Sequence, residues 1–106
     1  MAILIVHCEL NRSDVKSHKS RQSVLTKEIE KGRRPEQISS NGSMFFVQTP
    51  EQALDFAKRL VERCGMSKEK DRLAVIDASQ GKVYIWGDFD VEIKAKFPFL
   101  VEECSV

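Results

Sequence analysis

The chain is poor in the residues that build dedicated chemistry. Its three cysteines, at positions 8, 64 and 104 of 106, are odd in number and far apart. Such a set argues against a disulfide framework and for reduced thiols in a cytoplasmic protein. No Cys-x₂-Cys or His-x₃-His pair occurs, and His7 and Cys8 are neighbours that point to opposite sides of any strand, so no metal centre is expected. The five glycines stand singly and none forms a phosphate-cradling loop. There is no Gly-x-Ser-x-Gly elbow and neither histidine has an evident orienting partner, which leaves no nucleophilic site and no cofactor to expect. Long apolar runs are missing as well. Ala2–Val6 is five residues long, too short for a signal peptide core or a membrane span, so no membrane partner is expected.

A net charge of +1 gives no reason to expect a polyelectrolyte partner for the molecule as a whole, but the charge is unevenly spread. Arg12–Arg34 holds eight Lys/Arg against three acids, a local charge of +5, and the rest of the chain carries −4. That asymmetry marks one face electrostatically.

With 42% hydrophobic and 31% charged residues, 1–106 reads as a single globular domain. Its firmest stretch is Met44–Ala78. Met44–Gln48 alternates as a strand, Pro50–Cys64 has helical apolar spacing, and Leu73–Ala78 is again a strand. Thr49 is expected to cap the helix, with Gln52 completing a capping box and Gly65 ending it. This strand-helix-strand unit requires a crossover between parallel strands. Ala2–Cys8 reads as a central strand, with Glu9 at its C-terminal end. Asn11–Ser20 reads as a surface loop, and Arg21–Lys31 as a helix with a thin apolar stripe of Val24, Leu25 and Ile29. Asn41-Gly42 is a hairpin signal, with both residues expected at positive φ. Ser79-Gln80-Gly81 joins Leu73–Ala78 to a strand at Lys82–Trp86, Val91–Lys96 reads as a short helical turn, and a tail follows. The order predicts an α+β, ferredoxin-like βαββαβ sandwich with an extra C-terminal strand and a short C-terminal tail. Its helices would lie on one face of a mostly antiparallel sheet.

Three sets of residues suggest function. Arg12, Lys16, Lys19, Arg21, Arg33 and Arg34 could neutralise phosphates or an acidic protein surface, although no RNA-binding Gly/aromatic signature accompanies them. Tyr84 and Trp86 share one face of the expected edge strand and, with Phe97 and Phe99, form a candidate interface for a homodimer or an adaptor. Glu9, Asp77 and Asp88 could converge on a divalent metal for phosphodiester cleavage, although aspartates after strands more often close turns. The sequence therefore favours a small non-enzymatic binding or regulatory module that engages nucleic acid or an acidic partner through Arg12–Arg34 as a homodimer. The alternatives are a protein–protein adaptor or inhibitor using the Tyr84/Trp86 strand and a metal-dependent ribonuclease.

Overall fold

The computed structural model describes residues 2–11, 15–87, 89, 93, 96–97 and 101–104. They form an α+β sandwich of two helices on one six-stranded sheet. The strands are β1 (Ala2–Glu9), β2 (Ile38–Asn41), β3 (Met44–Thr49), β4 (Arg72–Asp77), β5 (Lys82–Gly87) and β6 (Val101–Glu103). The helices are α1 (Val15–Glu30) and α2 (Ala53–Cys64), and a 3₁₀ turn at Pro35–Gln37 leads into β2. The order across the sheet is β2-β3-β1-β4-β5-β6. All pairs are antiparallel except β5–β6. Since β1 runs antiparallel to both neighbours, β3 and β4 are parallel, and α2 carries the chain across β1 between them.

Strand parity separates the two faces of the sheet. Leu4, Val6 and Cys8 of β1, Phe45 and Val47 of β3, and Leu73 and Val75 of β4 are buried under the helices. Against them α2 presents Ala53, Phe56, Ala57, Leu60, Val61 and Cys64, recurring every three or four residues on one face of the helix.

Several boundaries differ from those expected. α1 begins at Val15, so the expected loop over Asn11–Ser20 is largely helix. Its inward stripe is Arg21, Leu25 and Ile29, four residues apart, and the stripe looked thin because its first member is an arginine. Leu25 and Ile29 are fully buried, and Arg21 is held by the carboxylate of Asp71. α2 starts three residues later than expected. Thr49 still belongs to β3, opposite Ala2, and Gln52 is the N-cap, with no side-chain capping bond. In the first hairpin Asn41 pairs with Met44, leaving Gly42 and Ser43 as the loop. Gly42 has φ +63° and no non-glycine residue among those described has positive φ, which suits a type II′ turn better than the expected type I′. At the other end of the sheet, β6 pairs in parallel with β5 where the sequence reading has only a tail. The sheet therefore has six strands, one more than a ferredoxin-like sheet with a single addition, and β5 is not an edge strand.

Asp71 ties these pieces together. It is 0% exposed. Its Oδ1 accepts the Asn11 amide at 2.8 Å, and its Oδ2 accepts the Ser67 amide at 2.7 Å together with the Arg21 guanidinium. Its carbonyl also faces Gly87 so closely that a Cβ there would stand 2.1 Å from the oxygen, and Gly87 has φ +101°. Only glycine fits. Burial alone would raise the Asp71 carboxyl, but the two amides and Arg21 outweigh it and hold it below the usual carboxylate range.

Asp71→Asn keeps the volume and removes the charge. It is expected to cost about 2–3 kcal/mol, read as a lower urea midpoint. Because folded Asp71 binds its proton more weakly than the unfolded carboxyl, its contribution is complete above about pH 4 and fades as pH falls toward the folded value. The stability gap between wild type and Asp71→Asn should narrow on acidification below about pH 4. A gap that stays constant there would contradict this role.

Candidate functional site

The basic segment divides into structural and free cations. Arg33 lies inside a network between the helices: its Nη2 donates to Thr49 Oγ1 at 2.9 Å and to Glu51 Oε1 at 2.6 Å. Arg59 grips the same Glu51 through Nε at 3.1 Å and Nη2 at 3.0 Å. Its Nη1 reaches the Glu28 carbonyl at 2.7 Å and Glu28 Oε2 at 2.9 Å. The two guanidinium carbons stand 5.6 and 5.1 Å from the centre of the Phe56 ring. Burial would raise the Glu51 carboxyl, but Arg59 and Arg33 draw it down. The network carries two positive and two negative charges and staples α1, the β3 end and α2. Arg21 is likewise committed to Asp71. Lys19 and Arg34 are exposed, and with Lys27 and Lys31 they lie on the solvent side of α1 and just past its end. Arg12 and the side chain of Lys16 lie outside the described residues.

The expected aromatic interface is not assembled as an exposed strand. Trp86 is 6% exposed and, with half-buried Tyr84, packs in the core under the helices, while β6 occupies the outer edge of β5. Phe97 is exposed, and Phe99 lies outside the described residues.

The acids do not converge either. Glu9 stands on the helix-free face and pairs with Arg72 at 3.3 Å. Asp77 is buried on the opposite face, about 17 Å along the strands at ~3.4 Å per residue. There it accepts the amides of Ser79 at 3.0 Å and Gln80 at 3.1 Å, which is the turn-closing role. Asp88 lies outside the described residues. Among the described residues no group of three His, Cys, Asp or Glu is placed to hold a metal. The thiols are buried, which pushes Cys64 up to about 11 and raises Cys8 and Cys104 as well, so none is a thiolate near neutrality.

The face of the sheet away from the helices is the remaining candidate. Pairing registers align Phe46, Ile5, Ile76 and Val83 in one apolar row across β3, β1, β4 and β5. A second row is Met44, His7, Ala74 and Ile85, and Gln48 and Ile3 begin a third. Ile3, Met44 and Phe46 are 42, 39 and 45% exposed, a cluster of large apolar side chains in water at one side of the face. Ile85 and Val101 also point to this side yet are buried outside the main core, so the β5–β6 end is already covered. Beside Phe46, Ile3, Phe46 and Gln48 continue into a cleft of about 260 Å³ closed by Glu36, Gln37 and Ile38. Among the described side chains of the strands, the charged ones on this face are Glu9 and Arg72, which pair at one end, and Glu36 borders the cleft beside Phe46. The sequence showed the alternation of β3, but which alternate set faced the helices became legible only from the pairing.

The chain matches no protein-family model, and neither a curated protein nor a solved structure matches it. No helix among the described residues is long and apolar enough to cross a membrane.

The two faces should respond differently to truncation. Phe45→Ala should cost about 3–5 kcal/mol, as expected for a buried phenylalanine. Phe46→Ala, one residue on and facing water, should cost under about 1 kcal/mol. Chemical denaturation of the two variants checks the assignment, and equal losses would contradict it.

Proposed function

We propose that the protein is a small, non-enzymatic binding module whose working surface is the open face of the sheet, and whose partner on that face is protein. The observation that carries the reading is the apolar row Phe46–Ile5–Ile76–Val83, flanked by exposed Ile3 and Met44 and bearing no unpaired described cation. Contiguous exposed apolar surface on a small domain marks interaction sites. Bases stacked on Phe46 would lack phosphate partners on this face, which disfavours nucleic acid there. We also read the first four strands and two helices as a ferredoxin-like unit. The segment order β2-β3-β1-β4, its antiparallel pairing and the shared helix side support that reading, with β5 and β6 as additions.

A second reading keeps the basic segment as a site for nucleic acid or an acidic protein. It is favoured by exposed Lys19 and Lys27 on the outer side of α1, away from the sheet, and by exposed Lys31 and Arg34 just past its end. The two readings use opposite sides of the molecule.

One pair of experiments separates them. A photo-crosslinking p-benzoylphenylalanine at position 46 is expected to give protein adducts in cells, with none from the same group at position 19. Fluorescence anisotropy with labelled RNA and DNA is expected to show no saturable binding at physiological salt. Tight binding whose log affinity falls by roughly 0.7–0.9 per contacted phosphate with log salt, and which is lost on charge reversal of Lys19, Lys27 and Lys31, would overturn the first reading in favour of the second.

A further inference from the structure

We infer that the partner docks as an extended peptide strand along the free edge of β2, with an arginine or lysine side chain in the cleft beside Phe46. The inference rests on the reading of the open face as a protein interface and names what the partner presents there.

The backbone supports it first. β2 is one edge of the sheet, with no described strand beyond it. Asn41 and Met44 flank a two-residue loop, so they exchange both backbone hydrogen bonds, and the next bonded pair is Ser39 with Phe46. On the other side of β3 the Cys8 amide donates to the Ser43 carbonyl at 3.1 Å, which fixes the same alternation. The N–H and C=O groups of Ile38 and Ser40 therefore point away from β3. β2 is short, but its four residues include no proline and no charged side chain to close the edge. Three residues of a guest strand can pair with it through four hydrogen bonds.

Side-chain space supports it second. Pairing puts Ser39 on the open side of the sheet with Phe46, and Ile38 on the helix side with Val47. A cleft stands on each side of this edge. One of about 260 Å³ lies beside Ile3, Phe46 and Gln48, and one of about 380 Å³ is lined by Glu30, Arg33, Pro35 and Ile38. Successive side chains of a strand point to opposite faces, so neighbouring residues of the guest reach different clefts.

Charge names the side chain. Glu36 is the one charged residue lining the cleft beside Phe46; it is exposed, and no described cation forms an ion pair with it. Ile3 and Phe46 give the same cleft exposed apolar surface. An arginine or lysine matches both, with its stem along Ile3 and the Phe46 ring and its charged head at the Glu36 carboxylate. An acidic guest would bring like charge to Glu36. A second copy would offer only Ile-Ser-Ser-Asn from its own β2, with a second Glu36 beside it.

The test is selection of a displayed library of random nonapeptides on the purified chain, followed by NMR of the isotope-labelled chain with the enriched peptide made synthetically. Enriched sequences should carry Arg or Lys between β-branched or aromatic residues. At saturation the peptide should slow hydrogen exchange of the Ile38 and Ser40 amides roughly tenfold. N-methylating the peptide on both sides of the basic residue removes two donors and should weaken binding about tenfold. Glu36→Lys should weaken it roughly fivefold. Ser40→Pro removes an outward donor and spares the ladder to β3, so it should weaken binding even if Glu36→Lys fails to fold. No enriched peptide, an acidic consensus, or binding that leaves the Ile38 and Ser40 amides unprotected would each overturn the inference. If it falls this way but the crosslinker at position 46 still gives protein adducts, the protein-interface reading stands. If no protein adduct appears either, both fall.

Discussion

The packing on the helix side depends on one buried carboxylate. Asp71 receives the end of β1 through the Asn11 amide, the α2–β4 connector through the Ser67 amide and α1 through Arg21, and its carbonyl leaves no room for a side chain at Gly87 of β5. A charge fully removed from water is costly unless every lone pair is used, and here several donors from separate parts of the chain converge on it. The site thus converts the penalty for a buried charge into a constraint on register. Displace any of the three donor segments and Asp71 loses a partner it cannot replace from solvent.

The second polar device works at the other end of α1. Arg59 and Arg33 share Glu51 and both stand near the Phe56 ring, and Arg59 also takes both the backbone and the side chain of Glu28. Together with Leu25 and Ile29, these contacts explain how a helix with so little apolar surface is fixed to the body. They also divide the cluster of positive charge. Arg21 and Arg33 are internal fasteners, whereas Lys19, Lys27, Lys31 and Arg34 remain at the surface.

Much of the fold was legible in the sequence because it rested on periodicity. The alternation in Met44–Thr49, the three-to-four spacing in α2 and the Ser79–Gly81 turn were each visible in a few neighbouring residues. What failed was set by distant partners. Arg21 looked like a surface cation because its acid is 50 positions away. Trp86 looked like a binding anchor because the strand covering β5, β6, is only three residues long and carries two glutamates. Thr49 has the right identity for a helix cap but is used by β3, with its hydroxyl accepting from Arg33 and from the Glu51 amide. The candidate face was hidden for a related reason. Its rows are assembled from four strands, and no single stretch contains more than two or three of the residues involved.

One face of the sheet is committed to the helices, and the other leaves Ile3, Met44 and Phe46 exposed. Methyl-resolved NMR of the purified chain with a soluble paramagnetic agent tests that division most directly. The methyl signals of Ile3 and Met44 should broaden strongly, while those of Leu4, Val6, Val47, Leu73 and Val75 stay sharp. Broadening confined to the second set, or shared equally by both, would contradict it.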